Sequence, residues 1–309
     1  MQFILGIETS CDETAAAVIN RDGQLLSNVI ASQMEIHSAF GGVVPEIASR
    51  NHIQLIDKVV AQALSEAGIT AQDLTLVAAT AEPGLPGAVM VGRVFGESLA
   101  TALGIPFAPI NHVHGHIASV GCTEPHLALV VSGGHTSLYQ VKGKQIKLLE
   151  STLDDAVGEA FDKVARVLGL GYPGGPIIEK HAKTYQGDEN IQFVKKPNYH
   201  VEGFSYSGLK TATINYLNKH KDFNLNQVCY SFQLEAFTQI VYKLKKHFAK
   251  SKIKTLCVSG GVSINKFLRE LLVAELASLG ITVHFPEPLL CGDNAAMIAL
   301  AALRYHPAP

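Results

Sequence analysis

Residues 3–19 read Phe3-Ile4-Leu5-Gly6-Ile7-Glu8-Thr9-Ser10-Cys11-Asp12-Glu13-Thr14-Ala15-Ala16-Ala17-Val18-Ile19. Two apolar runs with high β propensity flank a polar stretch that begins with a glycine, which predicts a β-hairpin. A hairpin selected for stability alone would carry a tight Asn-Gly type of turn and fewer charges. The tip, which contains the adjacent carboxylates of Asp12 and Glu13, is therefore predicted to meet a ligand.

The composition predicts a globular protein with a large core. The chain has 309 residues, of which 47% are hydrophobic and 17% charged, enough for two domains. The net charge of -2 means that any contact with nucleic acid needs a local basic patch or a partner. No uncharged run reaches the roughly 18 residues that span a bilayer, and the apolar start is too short for a signal peptide, so we expect a cytoplasmic protein without membrane contact.

The five cysteines are widely separated and form no Cys-x-x-Cys pair. This spacing favours reduced thiols over a disulfide framework or a zinc knuckle.

The two halves of the chain show similar patterns. In the first half, an apolar run at 75–78 leads through a glycine-rich turn and a helical stretch to a second run at 103–107, and the runs at 255–258 and 279–283 repeat this order. A second hairpin pattern spans 128–139. The repetition predicts two related α/β lobes with glycine turns lining the cleft between them, although unrelated α/β units can share such patterns. Helical spacing predicts long helices within 47–64, 154–170 and 228–248, and 186–206 is predicted to be irregular.

Two histidines four residues apart are candidate metal ligands. Asn111 is a favourable N-cap, which places His112 and His116 on one face of a helix. Asp293, near the start of the last helix, is a candidate third ligand, and two imidazoles with one carboxylate suit Fe(II) or, less selectively, Zn(II). Ordinary structural histidines and a simple N-cap role for Asp293 are the alternatives. No Glu follows His112, so the His-Glu-x-x-His pattern of metalloproteases is absent.

Glycine-rich turns at 131–136 and 259–265 can bring backbone N-H groups close to a phosphate, although plain turns have the same composition. A third such turn, 172–176, precedes the helix that carries Glu179. Asp162 lies off the apolar stripe of its helix and faces solvent or a site. A lysine cluster near the end of a long helix either complements the helix dipole or binds RNA phosphates. It comprises Lys243, Lys245, Lys246, Lys250, Lys252 and Lys254.

The order of these motifs over essentially the whole chain resembles the family of tRNA N6-adenosine threonylcarbamoyltransferases, once described as O-sialoglycoprotein endopeptidases. The resemblance is carried by residues 6–14, 41–46, 83–85, the His112/His116 pair, and residues 131–136, 158–163, 172–176, 204–211, 260–265 and 293–297. Glu82 stands where the family usually has glycine, and Asn111 stands where bacterial members often have histidine. The first departure puts the shape of one glycine turn in doubt.

The resemblance implies an α/β fold of the actin, Hsp70 and sugar-kinase type, which is ribonuclease H-like, with two duplicated lobes around a central nucleotide cleft. The first lobe is expected to span 1–110. The second is expected to span 111–309 and to carry most of the metal and adenylate site, with the last helix, about 293–309, packing back on the first lobe.

The resemblance also implies an activity, which is transfer of a threonylcarbamoyl group from threonylcarbamoyl-AMP to the N6 amine of the adenosine beside the anticodon in tRNAs reading codons that begin with A. It implies one divalent metal per subunit, Fe(II) before Zn(II), held by His112, His116 and Asp293. The expected adenylate-binding residues are Val130, Val131, Ser132, Gly133, Gly134, Asp162, Gly175, Glu179 and Asn265. Asp12 and Glu13 are the candidate catalytic proton acceptors.

The implied partners are tRNA, a paralogous actin-fold subunit and a small P-loop ATPase. Two other functions fit the same fold. An actin-fold kinase or ATPase would use similar glycine turns but would need no histidine pair. A non-catalytic scaffold paralogue would lack that pair and the later Gly-Gly motifs.

Overall fold

The computed structural model describes residues 2–195, 199 and 201–306. The strands are β1 (Phe3–Glu8), β2 (Glu13–Asn20), β3 (Leu25–Ser32), β4 (Leu74–Glu82), β5 (Phe107–Asn111), β6 (His126–Val131), β7 (Thr136–Lys142), β8 (Gln145–Ser151), β9 (Thr255–Ser259) and β10 (Thr282–His284). The α-helices are α1 (Met34–Ser38), α2 (Pro45–Glu66), α3 (Pro86–Leu103), α4 (His112–Ala118), α5 (Val157–Val167), α6 (Gly174–Thr184), α7 (Ser207–Lys219), α8 (Leu225–Phe248), α9 (Lys266–Ala277) and α10 (Ala295–Tyr305).

The chain divides into unit 1, Met1–Gly121 with Pro286–Pro309, and unit 2, Cys122–Phe285. This division differs from the predicted boundary after residue 110. Helix α4 belongs to unit 1 because it packs against α10, which in turn lies on β1 and β2. The histidine pair is therefore in unit 1 rather than in the second lobe as expected, whereas Asp293 belongs to the segment, about 293–309, that was expected to pack back on the first lobe.

Unit 1 is built on a five-stranded sheet in the order β3-β2-β1-β4-β5, counted over the described residues. The hairpin predicted from residues 3–19 is present, since β1 is antiparallel to β2, and β1 is also parallel to β4. One face of the sheet packs on α10 through Ile4, Ile110 and Ile298. The other face packs on α2 through residues such as Leu5 and Val60. The sheet is thus covered on both sides, which explains the almost continuous apolar runs of its central strands.

Unit 2 has the same topology. Its sheet, within the described part of the chain, has the order β10-β9-β6-β7-β8, with β6 antiparallel to β7 and parallel to β9. Each strand of unit 1 thus has a counterpart at the same place in unit 2, so the predicted duplication is confirmed. The core contains an aromatic cluster in which the Phe161 ring centroid lies 5.0 Å from that of Phe232 and 5.3 Å from that of Phe237.

The long helices agree with the predicted periodicities, which fall on α2, α5 and α8. Over the described part of 186–206 the backbone forms neither helix nor strand, as predicted. None of the helices in the described residues is long and apolar enough to cross a membrane.

Candidate functional site

The three predicted metal ligands of unit 1 lie together. One ligand atom from each of His112, His116 and Asp293 lies within 4.8 Å of the other two. Asp293 Oδ1 is 3.2 Å from Nε2 of His116 and 3.6 Å from Nε2 of His112. Both histidines are buried and the Asp293 side chain is 21% exposed. The cluster therefore presents two imidazole nitrogens and one carboxylate oxygen toward a common point.

Local sequence positions the histidines. Asn111 caps α4 as predicted, because its side-chain oxygen accepts hydrogen bonds from the backbone N-H groups of Val113 at 3.0 Å and His114 at 3.3 Å. His112 and His116 are then one helical turn apart, with ring centroids separated by 4.7 Å. The N-cap fixes the turn in which both imidazoles point the same way.

Two glycines allow α10 to bring Asp293 to the histidines. A Cβ on Gly6 of β1 would overlap the backbone of Ala295 and Ala299, and a Cβ on Gly115 of α4 would lie 2.9 Å from Cδ1 of Ile298. Gly115 therefore allows α10 to approach α4 closely. The alternative that Asp293 is an N-cap is wrong, since Asn294 caps α10 by accepting a 3.0 Å hydrogen bond from the Met297 N-H.

Glu8 is a site residue that the sequence reasoning missed. Its buried carboxylate accepts hydrogen bonds from Thr80 Oγ1 at 2.5 Å and from the Ser10 backbone N-H, and its Oε2 lies 3.0 Å from His112 Nδ1. Burial works to raise the pKa of Glu8, but the neighbouring imidazole of His112 outweighs it and holds that pKa below its usual range. A carboxylate on the second ring nitrogen is a common way to orient a metal-ligating histidine. A charged residue inside an apolar strand was the available signal.

His116 carries an unmet bonding requirement. The side chain is fully buried, and among the described residues Nδ1 has no hydrogen-bond partner, while Nε2 faces Asp293 Oδ1 at 3.2 Å without hydrogen-bond geometry. An unsatisfied buried polar group costs about 1–3 kcal/mol. A metal ion at the point shared with His112 and Asp293 would satisfy Nε2, so the residues present fit a divalent cation.

The hairpin tip holds Asp12 and Glu13 in unit 1, the first of them buried. Burial first, and then the charges of Asp12 and Asp293, raise the pKa of Glu13 to about 9. Ser32 Oγ donates a 3.2 Å hydrogen bond to Glu13 Oε1. The raised pKa favours the protonated form of Glu13 at neutral pH, in which the carboxyl group can donate a hydrogen bond.

Two of the glycine turns in unit 2 lie at the same edge of its sheet. They follow β6 and β9, which are parallel neighbours with Val130 opposite Ser259. Crevices at the carboxyl ends of parallel strands are common ligand sites. A Cβ on Gly158 would lie 2.7 Å from the Ser132 carbonyl oxygen, whereas a Cβ on Gly133 would meet nothing within 4 Å. Gly134 and Gly175 also face open space. Gly158 thus allows close packing, whereas Gly133, Gly134 and Gly175 leave open space beside the backbone.

The other predicted adenylate residues also lie in unit 2. Val130 and Val131 are fully buried, so neither presents its side chain to a ligand. Asp162 is not simply solvated, because its Oδ1 accepts a 2.7 Å hydrogen bond from the Gly174 N-H at the start of α6. Burial raises its pKa.

Glu179 and Asn265 meet at the start of α9. Glu179 Oε1 accepts a 2.6 Å hydrogen bond from the Lys266 N-H, and Asn265 caps the helix through the Leu268 N-H at 2.9 Å. Asn265 Nδ2 also donates to Gln233 Oε1 at 2.9 Å. The nine predicted residues are therefore distributed over β6 and its following turn, the middle of α5, the start and middle of α6, and the N-cap of α9.

The lysine cluster is not one surface. Lys243 is 1% exposed and pairs with Glu150 at 2.8 Å. It therefore cannot take part in the RNA-phosphate binding that was one of the two interpretations of the lysine cluster. Lys245 is exposed and pairs with Glu275 at 2.5 Å. Lys250, Lys252 and Lys254 line a surface cavity of unit 2.

Comparison with known proteins identifies close relatives. The family model TsaD, tRNA N6-adenosine threonylcarbamoyltransferase, matches residues 24–300. A Streptococcus pneumoniae (strain ATCC 700669 / Spain 23F-1) protein named tRNA N6-adenosine threonylcarbamoyltransferase is 47% identical over 315 residues, covering 98% of this chain and 92% of its own length. A second relative from S. pneumoniae (strain Taiwan19F-14), with the same name, is also 47% identical over the same shares of the two chains.

Solved structures show the same fold at low sequence identity. Full-length HypF in its phosphate- and nucleotide-bound form has a TM-score of 0.65 at 14% identity, over 98% of this chain and 46% of that one. The (R)-2-hydroxyglutaryl-CoA dehydratase component A of Acidaminococcus fermentans has a TM-score of 0.57 at 10% identity, over 98% of both chains. These likenesses confirm the predicted two-lobe α/β fold.

Proposed function

The chain belongs to the family of tRNA N6-adenosine threonylcarbamoyltransferases, and we propose that it transfers the threonylcarbamoyl group of threonylcarbamoyl-AMP to the N6 amine of the adenosine beside the anticodon in tRNAs reading codons that begin with A. The observation that carries the mechanistic part is the convergence of His112, His116 and Asp293. A kinase or ATPase of the same fold would not need this cluster, and a scaffold paralogue would lack it.

The cluster would hold one divalent metal, Fe(II) or alternatively Zn(II), which suit two nitrogens and one carboxylate with open positions. When bound, the metal supplies a Lewis acid that polarises an oxygen of the acyl donor. Glu8 fixes the His112 ring through Nδ1, so that Nε2 is the nitrogen presented to the cluster. The glycine turns of unit 2 would hold the adenylate through backbone N-H groups.

The transfer forms a C-N bond between the N6 atom and the carbamoyl carbon, and it breaks the bond from that carbon to the phosphate oxygen, so AMP leaves. An exocyclic adenine amine is a poor nucleophile, so positioning and electrostatics dominate the rate. We assign Asp12 as the acceptor of the N6 proton, because Glu13 already carries a proton at neutral pH. Glu13 then serves as a hydrogen-bond donor beside it.

The proposed partners are those of the bacterial relatives, a paralogous actin-fold subunit and a small P-loop ATPase. The test combines this protein and both partners with the adenylate-forming enzyme, threonine, bicarbonate, ATP and unmodified tRNA, followed by nucleoside analysis. We expect N6-threonylcarbamoyladenosine only when this chain is present. ATP hydrolysis by the isolated chain, with no modified nucleoside in the complete mixture, would favour the kinase or ATPase function instead.

Replacing Glu8 with glutamine tests its role as an orienting group. The side chain keeps its size but loses the charge on His112, so we expect metal affinity to fall about 10- to 100-fold. The measurement is a titration of the metal-free protein with Fe(II) or Zn(II) against a chelator. Ser10→Ala is the matched control, since Ser10 Oγ lies 3.1 Å from the same Nδ1 but carries no charge. Equal affinities in both variants would contradict the role.

Two glycine variants separate ligand binding from packing in unit 2. Gly133→Ala is expected to leave the free energy of unfolding near the wild-type value, because its Cβ meets open space, but to weaken threonylcarbamoyl-AMP binding about tenfold. Gly158→Ala should instead lower the unfolding free energy by about 1–3 kcal/mol, since the methyl group meets the Ser132 carbonyl. Calorimetric titration and denaturant unfolding measure the two effects. Unchanged adenylate binding in a folded Gly133→Ala protein would remove this turn from the proposed site.

Substitutions of Asp12 and Glu13, the two carboxyl groups of the hairpin tip, are expected to lower the transfer rate to different extents. Asp12→Asn should lower the transfer rate by about 10²-fold or more, because it removes the proton acceptor. Glu13→Gln should cost less than tenfold at neutral pH, since glutamine replaces a protonated carboxyl group that also donates a hydrogen bond. Single-turnover transfer rates with preformed threonylcarbamoyl-AMP give the comparison. The reverse order of effects would assign the proton acceptor to Glu13.

A further inference from the structure

A second group of potential ligands lies in unit 2. One side-chain ligand atom from each of Cys122, His126 and Cys257 lies within 4.8 Å of the other two. Cys257 and His126 are buried, and Cys122 is partly exposed. The group is separate from the metal cluster of unit 1, and the proposed transfer reaction uses none of its members.

Sheet register explains the arrangement. Cys257 of β9 is opposite Ala128 of β6, and His126 lies two residues before Ala128 on the same strand. Residues two apart on a strand share a face, so His126 and Cys257 point to the same side of the sheet. Cys122 comes from the segment that leads into β6. Cys257 is remote in sequence from Cys122 and His126, so the spacing of the cysteines alone gave no indication of a site.

The hydrogen bond of the histidine leaves one ring nitrogen able to bind a metal. Its Nδ1 lies 2.6 Å from the carbonyl oxygen of Glu124, and because a carbonyl can only accept, Nδ1 carries the proton. The lone pair is therefore on Nε2. A backbone carbonyl on one ring nitrogen is a usual second contact of metal-binding histidines.

From these observations we propose that Cys122, His126 and Cys257 bind one Zn²⁺ ion. Thiolate and imidazole ligands select zinc over hard cations. Zn-S bonds of about 2.3 Å and Zn-N bonds of about 2.0 Å place tetrahedral ligand atoms roughly 3.5–3.8 Å apart. The observed ligand atoms, which lie within 4.8 Å of one another, would therefore need to move only slightly closer together to bind the ion. Three protein ligands leave the fourth position to water.

Cys122 is partly exposed, and a surface cavity lies beside residues that neighbour the three ligands in sequence. A cavity of about 570 Å³ is lined by Glu124, whose carbonyl holds His126 and lies 3.8 Å from Cys122 Sγ. Thr255, two residues before Cys257 on β9, lines the same cavity, as do several lysines. Two thiolates neutralise the charge of a bound Zn²⁺, so those lysines do not oppose its binding. The ion would join the segment before β6 to β6 and β9.

Cobalt substitution tests the site without reference to activity. The full-length protein, stripped of metal under reducing conditions, is titrated with Co(II), which gives an intense near-ultraviolet charge-transfer band only when thiolates bind it. We expect this band in the wild type and in His116→Ala, which removes a ligand of the other cluster. Cys122→Ser should lower zinc affinity at least about tenfold and weaken the band, whereas Cys11→Ser should change neither.

Cys122→His keeps a metal ligand at the partly exposed position 122 and is expected to retain zinc. It therefore distinguishes loss of a ligand from misfolding of the Cys122→Ser variant. Zinc content by mass spectrometry should fall by one equivalent per chain in Cys122→Ser relative to Cys11→Ser. Absence of the charge-transfer band in the wild type would overturn the proposal. So would thiol counting and mass analysis that found Cys122 and Cys257 joined as a disulfide in the purified protein.

Discussion

Asp293→Ala is expected to lower the rate of threonylcarbamoyl transfer by at least about 100-fold and to abolish binding of the metal proposed for unit 1. The carboxylate is the only acidic member of that cluster, and both imidazoles lie within 3.6 Å of its Oδ1. Loss of a Lewis acid worth several kcal/mol corresponds to a rate loss of this size. The measurement pairs single-turnover transfer with metal analysis of the same preparation.

The side chain of Asp293 is partly exposed and does not cap α10, so the unfolding free energy should remain near the wild-type value. His114→Gln is the matched control. His114 lies on the same helix as the two ligands but packs near Tyr305, with ring centroids 5.8 Å apart. It should retain both metal and transfer. Full transfer by a metal-free Asp293→Ala protein would refute the assignment of the cluster.

Lys243→Met is expected to destabilise the protein by about 3–5 kcal/mol. Lys243 and Glu150 are 1% and 4% exposed, and His247 Nε2 lies 2.7 Å from the other oxygen of Glu150. Removing one partner of a buried ion pair leaves an uncompensated charge in the core. Lys245→Met is the matched control on the same helix, because its pair with Glu275 is exposed and worth about 0–1 kcal/mol. Denaturant unfolding measures both.

The effect of Lys243→Met should depend on pH. Burial works to raise the pKa of Glu150, but hydrogen bonds from Lys243 and His247 outweigh it and hold that pKa below its usual value. In the wild type, this carboxylate stabilises the fold above the unfolded-state pKa of about 4.3, and the contribution is lost as pH falls through the lower folded-state pKa. Without Lys243, burial dominates and the pKa rises. The difference in unfolding free energy between the wild type and Lys243→Met should therefore become smaller as pH falls from about 7 to about 4.5. A difference that stays constant over this range would contradict this cause.

The parts of the site that depend on short-range sequence could be predicted. The N-cap at Asn111, the spacing of His112 and His116, and the hairpin of β1 and β2 follow from capping preference, helical period and alternating apolar runs. The repeated order of strands was visible for the same reason. Asp293 could be proposed as the third ligand because its chemistry completed the set.

Long-range contacts escaped prediction. The role proposed for Glu8 depends on its contact with His112, and the sequence of the strand does not indicate that contact. Lys243 looked like part of a basic surface because its neighbours in sequence are lysines, whereas its helix turns it into the core against Glu150. Unit 1 extends beyond the predicted boundary at residue 110 because α4 packs on α10, which follows it in sequence only after the whole of unit 2.

The packing of α10 against Gly6 has a consequence for the order of assembly. Residue 293 follows the whole of unit 2 in sequence, so the carboxylate that lies beside His112 and His116 is synthesised only after that unit. A chain interrupted before residue 293 would lack both this carboxylate and the helix that covers Gly6 and Gly115. Translation of unit 2 therefore precedes completion of both the cluster and the sheet face beneath it.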